Sequence, residues 1–265
     1  MSLDDELGYW IARPAWSNGY GFEAAHAACE YWFADSDAGD LASGFFDGNA
    51  RSGRVLEALG FRLHDRIRRY ARSFQQDVTS NQMRVTRENW QARLDFTLYT
   101  PRLTLRPLRE TDADAFAAMM VPEVTQMLSS HRTGMTRDEV LADLPRRAWR
   151  GTLGFTLGIE HQQKLIGTVG CGGAPANIGY FLAPNMWGQG IMTEALSAFV
   201  PDLFQRLPLS RLTADHFEDN PASGAILRKL GFQQTGQETG NSVARLEPGV
   251  LITYTLERDK LRVPV

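Results

Sequence analysis

From residue 103 onward, apolar and polar positions follow each other in runs that predict one complete mixed domain. RLTLRPL (102–108) alternates with a period of two and predicts a strand from Leu103 to Leu108. Thr111 with Asp114 predicts the start of a helix through Met120, and Thr136 with Glu139 a second one to about Leu144. LGFTLGIE (153–160) and KLIGTVGCG (164–172) predict strands joined by a polar turn, and NIGYFLA (177–183) a third that ends at Pro184. From Ile191 to about Gln205, the residues Ala195, Leu196, Phe199, Val200 and Phe204 recur at helical spacing. RLTADHF (211–217) is the next strand; Asn220-Pro221 caps a helix that Gly231 ends, and GVLITYTLER (249–258) is the last strong strand. The order β-α-α-β-β-β-α-β-α-β-β places the fold class as α+β, a mixed α/β domain.

The first ninety residues repeat the second half of that pattern. WSNGYGFEAA begins at Trp16 and WGQGIMTEAL at Trp187, an offset of 171 (187 minus 16). At the same offset Gly8 and Tyr9 fall on Gly179 and Tyr180, Asn49 on Asn220, Ser52 and Gly53 on Ser223 and Gly224, and Gly60 and Phe61 on Gly231 and Phe232. A period of this size is that of a domain, not of a solenoid. Subtracting 171 from Leu103 gives −68, so the first copy is expected to lack roughly its opening seventy residues. The expected division is 1–95 as a partial domain and 96–265 as a complete one, linked through Asn89–Pro101.

Composition changes this picture little. Hydrophobic residues at 43%, charged residues at 22% and a net charge of −3 describe an ordinary soluble chain, cytoplasmic by expectation, with no overall electrostatic pull towards nucleic acid. Cys29 and Cys171 supply neither a disulfide framework nor metal spacing, and no apolar run is long enough to span a membrane. Locally, RLHDRIRRYAR (62–72) is expected to place Arg62, His64, Arg66, Arg68 and Arg72 on one strand face. A solvated basic face is the first reading of that stripe, and a phosphate or RNA contact the alternative.

The glycine phrase carries the chemistry. A strand that turns through Gly188 and Gly190 into a helix brings free backbone N–H groups to the positive end of the helix dipole, which favours phosphate. Gly19-x-Gly21-x-x-Ala24, with Asp40 about twenty residues on, also fits a dinucleotide fingerprint, but the second copy breaks it at Thr193 and βαβ alternation does not follow. Asn220-Pro-Ala-Ser-Gly-Ala-Ile-Leu-Arg-Lys-Leu-Gly-Phe232 lies about thirty residues after the glycine phrase. With IGYFLAP and WGQGIMTEAL it resembles the GNAT acetyltransferase superfamily, in its branch of ribosomal-protein N-terminal acetyltransferases of the RimJ/RimL type. The resemblance covers Leu103 to about Asp259 as a full domain and residues 6–89 as a half domain.

That resemblance implies an acyl-CoA N-acyltransferase fold, acetyl-CoA as co-substrate without a metal, and direct attack by a primary amine, either a protein N-terminus or a small amine. It implies that Trp187, Gly188, Gln189, Gly190, Ile191, Met192 and Thr193 hold the pyrophosphate, with Trp187 and Met192 departing from the usual residues. Tyr180, Phe181 and Leu182 would pair with the pantetheine arm, Asn220 would hydrogen-bond it, and Ser223 would lie near the sulfur. Relatives often carry Glu where this chain has Asn177, and only the first copy keeps an acid there, Glu6; His216 and Asp215 are the remaining candidates for the base, while Cys171 reads as core. The half copy retains Gly19 and Gly21 and is expected to be catalytically dead, with or without CoA. Its strand ELGYWIA would expose an edge that a second chain or the other domain could cover, giving a homodimer in the first case. The competing reading of the whole chain is a non-catalytic CoA-binding or dimerisation module.

Overall fold

The computed structural model describes residues 6–263 except Ser17, Ser36 and Ala38, so Ser17 of the first glycine phrase and the opening Met-Ser-Leu-Asp-Asp lie outside the described residues. The chain divides into two compact units, residues 1–95 with 205–208, and residues 96–204 with 209–265.

The first unit contains α1 (Tyr20–Ala34), β1 (Leu41–Phe46), α2 (Ala50–Ala58), β2 (Arg62–Ala71), β3 (Gln76–Val85) and α3 (Arg87–Ala92). Its strands form an antiparallel sheet in the order β1-β3-β2. ELGYWIA does not form the expected strand: among its described residues Glu6 makes an isolated bridge to Ala42, and the Leu7 amide donates to Ala42 O at 2.8 Å. Asn89–Pro101 is not a plain linker either. Thr86 caps α3 by accepting from the Asn89 amide at 3.1 Å, and Trp90 is buried against Phe33 with ring centroids 5.6 Å apart. The basic stripe is split. The register of β2 on β3 shifts between Leu63 and Asp65, so Arg62 pairs opposite Arg84 whereas Arg66 pairs opposite Asn81. One extra residue turns the following side chains to the other face, and Arg62 no longer shares a face with Arg66 and Arg68.

The second unit runs β4 (Leu98–Tyr99), β5 (Leu103–Pro107), α4 (Ala113–Ala118), α5 (Pro122–Thr125), α6 (Arg137–Arg147), β6 (Phe155–His161), β7 (Lys164–Gly172), β8 (Asn177–Leu182), α7 (Ile191–Arg206), β9 (Arg211–Phe217), α8 (Pro221–Lys229), β10 (Gln233–Gly240) and β11 (Gly249–Glu257). The strands form one sheet in the order β10-β11-β9-β8-β7-β6-β5-β4, antiparallel except between β8 and β9. Its core combines Leu105, Leu157, Ile159 and Val169 from the sheet with Leu196, Phe199 and Leu203 from α7, all fully buried. The helix expected to open at Thr111 is preceded by a short 3-10 turn, Glu110–Asp112, and Asp112 occupies its N-cap position without a side-chain bond to the helix amides. Buried Arg106 explains the shift: its guanidinium grips Asp112 at 2.7 and 2.9 Å, and the same carboxylate accepts from the Arg109 amide at 2.7 Å. At α6 the expected Thr136–Glu139 pair caps reciprocally, with bonds of 2.7 and 3.3 Å.

At the offset of 171, corresponding elements begin at Tyr20 and Ile191, Ala50 and Pro221, and Arg62 and Gln233. Even the β2 irregularity recurs, between Gln234 and Gly236 in β10.

Candidate functional site

β8 keeps one edge in the sheet and leaves the other open. It pairs with β7 along its whole length, from Gly167↔Leu182 to Gly172↔Asn177. With β9 it pairs only at Asn177↔Thr213, where the Thr213 amide donates to Ala176 O at 2.8 Å. Beyond that point the parallel strands diverge, and Tyr180, Phe181 and Leu182 lie on the unpaired stretch. An extended amide-bearing ligand could take the place of the missing strand.

The glycine loop follows directly. A 3-10 turn, Pro184–Met186, leads to Trp187, whose indole Nε1 donates to Leu182 O at 3.0 Å and ties the loop to the end of β8. Gly188 and Gly190 adopt φ of +72° and +74°. Nothing lies within 4 Å of where a Cβ of Gly188 would be, so the requirement for glycine there is conformational rather than steric. Gln189 closes the turn by donating from Nε2 to Asn185 O at 2.9 Å. The Glu194 amide is the first of α7 to reach a helical carbonyl, Gly190 O at 3.0 Å; those of Ile191, Met192 and Thr193 belong to the unpaired first turn.

An acid in that turn suits the helix dipole but would repel an anion. Here it is neutralised. Glu194 accepts from Thr100 Oγ1 at 2.6 Å, from the Arg102 amide at 3.0 Å and from Arg102 Nε at 2.6 Å. Burial raises its pKa, but these bonds outweigh burial and hold it below the ordinary value. Arg102 also donates from Nη1 to Gln189 O at 3.2 Å, which puts a guanidinium beside the loop. Sequence reasoning missed Arg102 and Thr100 because their partner lies 92 and 94 residues away.

At the other end of the opening, Asn220 caps α8 by accepting from the Ser223 amide at 3.3 Å. Ser223 Oγ and Tyr180 Oη are 2.7 Å apart. Burial raises the Tyr180 pKa above its ordinary value against the opposing bond to Ser223, so the phenol stays protonated at neutral pH. Asn177 Nδ2 donates to Asp215 Oδ2 at 2.9 Å, which places a carboxylate one strand away from the Asn177 position.

His216 lies beneath α8. Its Nδ1 is 2.8 Å from Phe217 O and its Nε2 3.3 Å from Tyr254 Oη, which accepts from Arg228 Nη1 at 3.0 Å. These partners assign the proton to Nδ1 and leave Nε2 accepting from Tyr254. Cys171 is buried in β7, and burial pushes its thiol up to about 12, which withholds the thiolate at neutral pH. Among the described residues no group of three or more His, Cys, Asp or Glu side chains is placed to hold a metal, and no helix is long and apolar enough to cross a membrane.

Residues 2–62 and 102–233 match the family model described as an acetyltransferase (GNAT) domain, two segments that end 171 residues apart (233 minus 62). The chain is 35% identical over 152 residues to an uncharacterized N-acetyltransferase, YoaA, of Bacillus subtilis (strain 168), covering 52% of this chain and 84% of that protein. It is 32% identical over 151 residues to an uncharacterized N-acetyltransferase, p20, of Bacillus licheniformis, covering 53% and 84%. Among solved structures it is similar to RimL, a ribosomal L7/L12 alpha-N-protein acetyltransferase in complex with coenzyme A, with a TM-score of 0.55 and 21% identity over 62% of this chain and 99% of that one. RimJ of Mycobacterium smegmatis, in complex with a CoA-disulfide, gives a TM-score of 0.53 and 22% identity, over 62% of this chain and 87% of its own. At these identities the structural likeness is one of fold.

Proposed function

The chain belongs to the GNAT acetyltransferase family, and on that footing we propose that residues 96–265 form a complete domain transferring the acetyl group of acetyl-CoA to a primary amine. The observation that carries this reading is the opening between β8 and β9, with a phosphate-favouring loop at one end and the Tyr180–Ser223 hydroxyl pair at the other. The amides of residues 188–193, beside Arg102, would hold the pyrophosphate, and Tyr180, Phe181, Leu182 and Asn220 the pantetheine arm. RimL and RimJ, named with bound CoA or CoA-disulfide, support the choice of co-substrate, and RimL's name favours a protein α-amine over a small amine as acceptor.

In the proposed step the amine nitrogen attacks the thioester carbonyl carbon. A C–N bond forms, the C–S bond breaks, and the leaving thiolate takes its proton from the Tyr180–Ser223 pair. The proton lost by the amine passes to the Asp215 carboxylate, directly or through water. Asp215 thus supplies the acid absent at Asn177, and Asn177 orients it. His216, with both ring nitrogens engaged, acts as a positioning residue under α8. Residues 1–95 are proposed as the second half of the same domain, which the 171-residue offset of elements and of matched segments supports.

The test is release of free thiol from acetyl-CoA with a panel of N-terminal peptides and small amines, in the wild type and in Asp215→Asn. Acceptor-dependent release, reduced at least tenfold by the substitution, is expected. Tight CoA binding without acceptor-dependent release would instead support the non-catalytic CoA-binding or dimerisation module, the reading that the Glu-to-Asn change at Asn177 favours.

A further inference from the structure

The strand β2 carries a charge pattern that its fold does not require. Residues 62–72 hold five arginines against one aspartate, a local balance of +4 in a chain of net −3. Arg62 through Tyr70 are all exposed. Among the described residues no guanidinium group of Arg62, Arg66, Arg68, Arg69 or Arg72 is bonded to a carboxylate; Arg66 gives only its backbone amide to Asp65 Oδ1 at 2.7 Å, Arg62 donates to its neighbour's carbonyl, Phe61 O, and Arg69 lies 5.7 Å over the Phe46 ring. The corresponding strand β10, at the offset of 171, reads QQTGQETG, with one carboxylate and no arginine. Two strands with the same bulge and the same edge position therefore differ in charge, so architecture does not explain the arginines.

The shape of the segment narrows the ligand. β1 covers β3 only from Ser80 to Val85, so Arg68–Ala71 and Gln76–Thr79 extend past it as a two-stranded ribbon. Two strands alone are marginal in water. Here Phe46 and Phe74 meet edge-on at 6.2 Å, and Arg69 lies on Phe46. After the bulge, Arg66, Arg68 and Tyr70 share one face while Ile67 and Arg69 lie on the other. Near the tip, Tyr70 and Phe74 are 61% and 58% exposed. A ten-residue strand is about 33 Å long, too extended for a single phosphate group. A flat bilayer would engage only one face of the ribbon and leave Arg69, on the other face from Arg66 and Arg68, without a headgroup partner.

We infer that the β2–β3 ribbon binds single-stranded RNA. Forked guanidinium groups on both faces match a string of phosphates, and exposed aromatic rings stack on unpaired bases, which loops and bulges of RNA present routinely.

The experiment is fluorescence polarisation of a 5′-labelled U20 RNA with the full chain at 50 and 200 mM KCl. With about five phosphates neutralised, the fourfold rise in salt weakens binding roughly 100-fold. Arg66→Ser/Arg68→Ser/Arg69→Ser replaces exposed side chains and is expected to weaken binding at 50 mM KCl at least tenfold and to flatten the salt slope. Tyr70→Ala/Phe74→Ala is expected to weaken binding about tenfold while leaving the salt slope unchanged. Circular dichroism melting of each variant verifies the fold, and if the triple-serine variant melts early the lysine version, Arg66→Lys/Arg68→Lys/Arg69→Lys, replaces it; partial loss with an unchanged salt slope supports the proposal. Wild-type binding that is absent, insensitive to the substitutions, matched by polyglutamate, or weaker than to dT20 DNA overturns it. So does variant-sensitive capture by phosphatidylglycerol vesicles without RNA binding.

Discussion

Gly224 is the position where a single methyl group should disturb the centre of the candidate site. A Cβ there would lie 2.4 Å from His216 Nε2, 2.9 Å from Tyr254 Oη and 3.1 Å from Arg228 Nη1. The imidazole cannot swing aside cheaply, because its Nδ1 is bonded to Phe217 O at 2.8 Å. Replacing glycine by alanine inside a helix by itself gains about 1 kcal/mol. Overpacking a tight site costs about 1–3 kcal/mol, and separating the His216–Tyr254 bond adds about 1 kcal/mol. Gly224→Ala is therefore expected to destabilise the second unit by roughly 1–3 kcal/mol. In a His216→Ala background the tightest contact is gone and only the Tyr254 hydroxyl and Arg228 guanidinium, at 2.9 and 3.1 Å, have to give way, so the same change should cost about 1–2 kcal/mol less than in the wild type. Urea unfolding of the four proteins of this double-mutant cycle measures the coupling. A Gly224→Ala protein as stable as wild type, or an equal loss in both backgrounds, would refute the placement of His216 under α8.

Three further expectations follow from named contacts. Asp112→Asn leaves buried Arg106 with Glu160 alone, at 2.7 Å, and should lower stability by roughly 3 kcal/mol in urea unfolding. Burial raises the Asp112 pKa, but the Arg106 and Arg109 bonds overcome it and hold the carboxyl below its ordinary value; its contribution is present above the unfolded value and lost as pH falls through the lower folded one, a dependence the Asn variant should lack. His131 is lowered to about 4, first by burial and then by Arg147, so the unfolded chain binds its proton first: going from pH 7 to 4.5 should cost about 2–3 kcal/mol, and the difference between wild type and His131→Asn should shrink by that amount over the same range. Tyr180→Phe removes the partner 2.7 Å from Ser223 Oγ and should lower kcat of thiol release at least tenfold while changing acetyl-CoA affinity less than threefold; an unchanged kcat would remove Tyr180 from the proposed proton path.

Most strands and helices of the second unit were legible because their side chains obey a period set by one buried face. β7 and β9 match their expected spans residue for residue. The misses have physical causes. Asp112 took the N-cap position in place of Thr111 with its carboxylate held by buried Arg106, a demand that no local pattern displays. β10 has exposed positions nearly throughout, so apolar alternation is missing and only pairing with β11 makes it a strand. The glycine loop was legible from its composition, whereas its cation, Arg102, was not, since it reaches Gln189 and Glu194 across a long loop closure. The base position could be narrowed only to Asp215 or His216. What separates them is direction: one carboxylate meets Asn177, while the imidazole turns beneath a helix.

The repeated segments act as an internal control on which contacts can carry chemistry. Tyr9 Oη and Ser52 Oγ are 3.1 Å apart, as Tyr180 and Ser223 are at 2.7 Å; Trp16 Nε1 donates to Ile11 O as Trp187 does to Leu182 O; Asn49 caps α2 as Asn220 caps α8. These bonds recur in a unit whose described residues form a sheet of three strands, so they come with the local fold. Residues of the candidate site that differ at the fixed offset include Asn177 against Glu6, Asp215 against Gly44, His216 against Phe45, Tyr254 against Met83 and Arg228 against Glu57. Glu23, which corresponds to Glu194, is exposed, whereas Glu194 is gripped by Thr100 and Arg102. An activity resting on the Tyr–Ser pair alone would belong to both units equally. Chemistry confined to the second unit would run through such substituted positions and the Arg102 clamp, and Asp215→Asn, at an exchanged position outside the His216–Tyr254 contact, should lower thiol release while leaving the urea midpoint unchanged.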